Sequence, residues 1–216
     1  MSSDHVRVSS RVKSAAATRR RPRQSRAQAS SLALQQAFVR VLLERGSLSA
    51  VTVREVAAVA GVGVGTFYEY VANMKALAAL TIHLRVKALG QGLAQTIAAH
   101  AGQPLDERVT AMLDHQIQAV MDDAPAWAAL FRLEREVSSP EAYNKHYEDF
   151  VALWASALLP ALTNPLRRAA VARMAHCLVY GAVTQALLTQ GPGLDRAALR
   201  AELRRALQAY LDAALD

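Results

Sequence analysis

The sequence predicts an all-α chain in two parts, a small N-terminal helical unit followed by a larger helical body. Three observations carry this. The composition is rich in Ala, Leu, Arg and Gln and only 6% aromatic, which favours helices. Apolar residues recur at helical spacing, and no alternating run is long enough for a strand. The stretch Thr52 to Leu77 reads as two short helices around a glycine turn, followed by the start of a third. Nine helices are expected in all.

The 216 residues can bury a core without cross-links. The single cysteine, Cys177, excludes an internal disulfide framework and a cysteine-rich zinc site. That suits a reducing cytoplasm. Charge is segregated. Residues 1–26 carry eight Arg or Lys and one Asp, for a net +7. Residues 27–87 add +3, and residues 88–216 carry −3. The basic excess therefore lies in the N-terminal part, as in a polyanion-binding head on a near-neutral body.

Residues 1–25 have no apolar periodicity and read as a disordered basic arm. Arg19 to Arg26 either reach phosphates or a minor groove, or form a solvated tail that raises local DNA affinity. No apolar run follows the charges, so the segment does not read as a secretory leader. The first helix is expected from Ala27 to Arg45, with Leu34, Ala37, Phe38, Val41 and Leu42 on one stripe. Gly46 ends it.

In the central stretch, Thr52 is an N-cap and Glu55 completes a capping box. Val53, Val56, Ala57 and Ala60 share one helical face. Gly61 provides the turn that needs positive φ. A second short helix follows from Val64 to Tyr70, held on the first by Val62 and Phe67. Asn73 caps a third, from Met74 to about Ala99. Gly90 and Gly92 interrupt that helix and mark either a bend or a close crossing. This is a helix-turn-helix arrangement, in which one helix braces and the next enters a DNA groove.

The body breaks at Pro104, Pro125, Pro140, Pro160, Pro165 and Gly191-Pro192-Gly193. Helices are expected over 105–122, 125–136, 140–159, 165–189 and 195–214. Met174 to Leu194 has no charged residue and is long enough to span a bilayer. His176, Thr184, Gln185, Thr189 and Gln190 break it, so a buried or interface helix is the better reading. In the last helix Leu199, Leu203, Leu207, Tyr210 and Leu211 form a stripe that serves either a dimer or the chain's own core.

Thr-x-Arg-Glu-Val-Ala at 52–57, Ala-Gly-Val at 60–62, Gly-Thr-Phe-Tyr at 65–68 and Asn-x-Lys-Ala-Leu at 73–77 resemble the TetR family of transcriptional regulators in order and spacing. The resemblance covers Arg26 to Ile82; beyond it only length and helical character agree. It implies a DNA-binding unit over 26–85 and an effector-binding and dimerisation unit over 86–216, paired through the last two helices. It also implies a bacterial origin, against a mitochondrial transit peptide.

On that basis the DNA-contact candidates are Thr52 and Arg54 from the bracing helix, and Gly63, Val64, Gly65, Thr66, Tyr68 and Tyr70 from the recognition helix. Asn73 and Lys75 join them at the start of the next. Arg54 reaches a base edge, a phosphate or only solvent. Val64 can touch a thymine methyl, and Gly65 allows close backbone approach. Tyr68 either offers its hydroxyl to DNA or packs between helices, and Tyr70 matches a phosphate position. Two departures stand out. Gly63 replaces a common serine, and Met74 replaces a lysine for which Lys75, one residue later, can substitute. The link from Gly46 to Thr52 is one residue longer than usual.

The middle of the body holds a mix of aromatic and polar side chains suited to a small apolar ligand. Met112, His115, Gln116, Trp127 and Phe131 come from its first half. Tyr143, His146, Tyr147, Phe150 and Trp154 follow, then His176, Cys177 and Tyr180.

Enzyme chemistry is not written here. Glu134 and Glu136 lie on different helix faces, no His-x-x-x-His pair occurs, and His176 and Cys177 point apart as helix neighbours. No phosphate-binding loop is present, and the glycines at 61, 63 and 65 follow no strand. No cofactor or metal is expected. The sequence reads as a cytoplasmic, nucleoid-associated dimeric repressor, released from a palindromic DNA operator by a small effector. Activation on the same fold, or an architectural DNA binder without effector control, are the alternatives.

Overall fold

The computed structural model describes residues 21–215. These form nine α-helices and two short 3-10 turns, with no strand among the described residues. Helix α1 spans Arg21–Arg45. It starts six residues before the expected Ala27, so 21–25 are helical and the arm expected there is corrected. Arg and Gln are good helix formers, and Pro22 in the first turn sacrifices no helical hydrogen bond. Residues 1–20, the rest of that arm, lie outside the described residues.

Helices α2 (Val53–Ala60) and α3 (Val64–Tyr70) follow. Thr52 Oγ1 accepts from the Glu55 N–H at 3.3 Å, and the Thr52 N–H donates to Glu55 Oε2 at 3.2 Å. The reciprocal pair satisfies two otherwise orphaned donors. Arg45 of α1 forms an ion pair with the same Glu55. Gly61 closes α2 with φ 68°, and the Val62 N–H donates to Ala57 O at 3.0 Å. Glycine adopts that backbone with least strain, and the bond is the long one of a Schellman stop.

Helix α4 spans Met74–Ala99, with Asn73 Oδ1 accepting from the Ala76 N–H at 2.9 Å. It is continuous through both glycines. A Cβ built on Gly92 would stand 2.5 Å from His115 Nε2, whereas one on Gly90 would make ordinary 3.8 Å contacts with Phe150 and Leu153. Gly92 thus marks a close crossing with the next helix.

The body helices are α5 (Leu105–Met121), α6 (Ala124–Val137), α7 (Pro140–Ala157), α8 (Pro165–Gln190) and α9 (Arg196–Leu215). Side-chain caps from Ser139 and Asn164, each followed by proline, start α7 and α8. Leu203, Leu207 and Leu211 of α9 are buried in the chain's own body core, with Leu199 and Tyr210 packed against it. The α9 stripe is therefore intramolecular. Helix α8 is long and apolar enough to cross a membrane, but half of its apolar window is buried inside the protein.

Two cores result. The head core unites Leu34, Phe38 and Leu42 of α1 with Val56, Phe67, Leu77 and Ile82. It also takes in Ala126, Leu130 and Leu133 of α6. The body core runs from Leu93 to Leu211 and is centred on Met112, Leu113 and Trp154.

Candidate nucleic-acid interface and cavity

The head presents one open face. Phe67 of α3 is fully buried, which turns Val64 and Tyr68, one helical turn apart, outward. Tyr68 is 57% exposed, and its ring meets Phe67 edge-on at 5.3 Å. A Cβ on Gly63 or Gly65 would meet nothing within 4 Å, so the backbone there is open to approach. Gly63 caps α3 without a side-chain hydrogen bond. Arg54 is exposed at the start of α2, while Thr66 is half-buried. Tyr70 is also half-buried and packs against the head core. The Thr52 hydroxyl is engaged in the capping box, donating to Glu55 Oε2 at 2.8 Å. Lys75 is exposed, 3.8 Å from Glu136 of α6. The structure thus gathers Arg54, Gly63, Val64, Gly65 and Tyr68 on solvent, and holds Thr52, Tyr70 and Asn73 in structural contacts.

Behind the head, five helices line a narrow, partly open cavity with about 80 Å3 of free volume. Helix α4 contributes Val86 and Leu89, α5 contributes Gln116 and Val120, and α6 contributes Trp127, Phe131 and Glu134. Tyr143, His146, Tyr147 and Phe150 come from α7; His176, Val179, Tyr180, Val183 and Thr184 come from α8. The rings form a chain of contacts: Trp127 to Phe131 at 5.4 Å, Phe131 edge-on to Tyr180 at 6.0 Å, and His176 stacked on Phe150 at 5.5 Å.

Of the residues singled out in the sequence, Gln116, Trp127, Phe131, Tyr147, Phe150 and Tyr180 meet at this cavity, with Tyr143, His146 and His176. Met112 and Trp154 lie fully buried in the body core instead. The His115 ring lies against Gly92 of α4. Cys177 is exposed, its Sγ 3.9 Å from the Tyr147 hydroxyl.

Glu134 went unnoticed in the sequence as a cavity residue. Trp127, Phe131 and Glu134 stand at i, i+4 and i+7, which puts the carboxylate on the aromatic face of α6. That spacing was the available signal. Thr184, one turn beyond Tyr180, was missed similarly.

The cavity's polar groups are few and perturbed. The Tyr180 hydroxyl donates to Glu134 Oε2 at 3.2 Å. Burial raises the Glu134 carboxyl above its usual range, partly offset by that hydrogen bond and by the charge of Arg135. Burial, then the nearby Glu134 charge, pushes the Tyr180 phenol up. Burial lowers His176 to about 4, leaving it neutral at pH 7. His146 is lowered by burial and by His83, whose Nδ1 is 2.9 Å from His146 Nε2. Among the described residues, His176 Nδ1 and Thr184 Oγ1 are buried without partners, a cost that a ligand can relieve.

Head and cavity share walls. Ala126, Leu130 and Leu133 of α6 pack in the head core, while Trp127, Phe131 and Glu134 on its other face line the cavity. Helix α4 divides along its length, with Leu77, Ala78 and Ile82 in the head core and Val86 and Leu89 at the cavity.

The family described as tetracyclin repressor-like, C-terminal domain, matches residues 104–211. No curated relative matches the sequence. Several solved structures share the fold. A protein of Mesorhizobium loti assigned to the TetR family superposes with a TM-score of 0.72 at 16% identity, covering 87% of this chain and 98% of that one. A TetR-family regulator of Marinobacter aquaeolei gives 0.67 at 14% identity, covering 86% and 97%. The regulator FadR of Bacillus subtilis, solved with stearoyl-CoA, gives 0.63 at 18% identity, covering 82% and 96%. With half of its length matched by the family's body domain and a helix-turn-helix head in front, the chain belongs to the TetR family of transcriptional regulators.

Proposed function

We propose that the protein is a dimeric repressor that holds a palindromic operator until a small, largely apolar effector enters the cavity. The observation that carries this reading is the double membership of α4 and α6. Each contributes side chains to the head core and to the cavity wall. The cavity's free volume of about 80 Å3 is smaller than the roughly 150 Å3 that admits benzene in a known apolar cavity. Seating an effector wholly between the helices therefore requires the walls to part, and two of those walls belong to the head. Ligand and operator affinities then oppose each other reciprocally.

Operator contact is assigned to the face carrying Arg54, Gly63, Val64, Gly65, Thr66 and Tyr68, with Tyr70, Asn73 and Lys75 at its edge. Two copies would occupy successive major-groove faces. Dimerisation is assigned to the outer faces of α8 and α9. Met174 is exposed, Gly181 faces open space, and Ala206, Ala209 and Ala213 are exposed small residues that permit close helix approach. The protein would act in the cytoplasm, at the nucleoid.

The test uses an operator selected from a random duplex library, with sedimentation to establish the dimer. Arg54→Ala and Tyr68→Ala should each weaken operator binding about tenfold or more, with the unfolding midpoint and dimer unchanged. Unchanged affinity in both, or a monomer that ignores duplex DNA at moderate salt, would overturn the reading.

A further inference from the structure

Among the described residues that line the cavity, Glu134 alone carries a formal charge, and it sits beside Tyr180 in a wall rich in aromatic rings. Glu134 is only 6% exposed, and among the described residues the Tyr180 hydroxyl is its one hydrogen-bond donor. Among the described residues, no Lys or Arg lines the cavity. Arg135 is exposed on the next position of α6, with its guanidinium 6.0 Å from the Tyr143 ring centroid. A glutamine of the same shape would keep a hydrogen bond to Tyr180 without burying a carboxylate. Glu134 therefore weakens the empty cavity relative to a neutral substitute.

A cationic ligand reverses that cost. The carboxylate regains a charge-assisted partner, and the faces of Trp127, Phe131 and Tyr180 attract a desolvated cation while covering its apolar part. We infer that the effector is a lipophilic amine or quaternary ammonium whose cationic nitrogen sits against Glu134, among Trp127, Phe131 and Tyr180. This rests on the reading of the cavity as the effector site and adds the chemical class. An acyl-CoA, the ligand carried by the similar Bacillus subtilis regulator, would bring phosphates to a cavity with no fixed cation among its described lining residues. A fatty carboxylate would meet Glu134 as a like charge.

The inference is tested with one skeleton in three charge states: 4-phenylbutylamine, 4-phenylbutanol and 4-phenylbutyrate. Each is titrated into the full-length protein by calorimetry, alongside stearoyl-CoA. Trp127 fluorescence, read in a Trp154→Phe background, reports entry into the cavity. The amine should bind about tenfold or more tightly than the alcohol, and the butyrate more weakly than both. Glu134→Gln should erase the amine's advantage while leaving alcohol binding near the wild type and the unfolding midpoint at or above it. Equal affinity for amine and alcohol in the wild type, tightest binding of butyrate or stearoyl-CoA, no binding of the amine, or an advantage that survives Glu134→Gln would overturn it.

Repeating the titrations on the operator complex separates the two readings. If butyrate or stearoyl-CoA releases the operator, the amine assignment fails and effector control stands. If the amine binds through Glu134 but leaves operator affinity unchanged, the ligand class stands and effector control fails.

Discussion

Leu130 and Phe131 are neighbours in α6 that serve different compartments. Leu130 is buried in the head core, and Phe131 faces the cavity, where it meets Trp127 and Tyr180. A helix places adjacent side chains about 100° apart, so one turn of α6 can touch both. Leu130→Ala should lower unfolding stability by about 2–5 kcal/mol, the usual cost of emptying a leucine site. It should also shrink the effect of ligand on operator affinity. Phe131→Ala should chiefly weaken ligand binding. Denaturant titration with operator binding in the presence and absence of ligand separates the two. A Leu130→Ala protein with full ligand response would remove α6 from the coupling.

Gly92 and His115 give a prediction in which the sign depends on background. A methyl at 92 would collide with the His115 ring at 2.5 Å, so Gly92→Ala should destabilise the wild type by about 1–3 kcal/mol. Once His115→Ala has cleared the ring, the same change should stabilise by up to about 1 kcal/mol, the ordinary helix preference of alanine over glycine. Stabilisation in both backgrounds, read from thermal unfolding, would show that the crossing has slack, and destabilisation in both that His115 is not the obstacle.

His176 predicts a pH dependence. Burial lowers it from 6.5 to about 4 in the folded chain. As pH falls, the unfolded chain takes up the proton first, so stability is intact above about pH 7. It declines from pH 6.5 to 4 and levels off below, losing at most about 3 kcal/mol through this group. His176→Phe keeps a ring against Phe150 and should flatten that window in denaturant titrations across pH. A slope identical to the wild type would show that the ring is protonated as easily as in water.

The N-terminal charge predicts a salt effect. Removing residues 1–20, which carry five Arg or Lys and one Asp, should lower operator affinity at low salt. The log–log salt slope should flatten by about 0.9 for each phosphate that is no longer neutralised. An unchanged slope would make these residues bystanders.

What the sequence disclosed was local. The Thr52–Glu55 box, the stop at Gly61 and the cap at Asn73 depend on residues within a few positions, and all three are present in the fold. The ends of the body helices fell within about two residues of expectation because prolines and glycines punctuate them, as at Pro140, Pro165 and Gly191. What stayed hidden required knowing which helix lies against which. Gly92 could mean a bend or a crossing until His115 was seen beside it. The α9 leucines could face a second copy until their burial in the body was seen. Glu134 looked like half of a failed carboxylate pair because its partners, Trp127, Phe131 and Tyr180, come from a face and a helix that no single segment reveals. The early start of α1 was missed because a run of arginines resembles a solvated tail as readily as a helix.

The division of labour around the cavity bears on re-engineering. Tyr147 and Phe150 on α7, with Val179 and Val183 on α8, line the cavity and take no part in the head core. A biosensor library confined to those four positions could change which compound is detected while the output module keeps its original wiring. Libraries that reach into α6 would rewrite detection and response together, and would be far harder to screen.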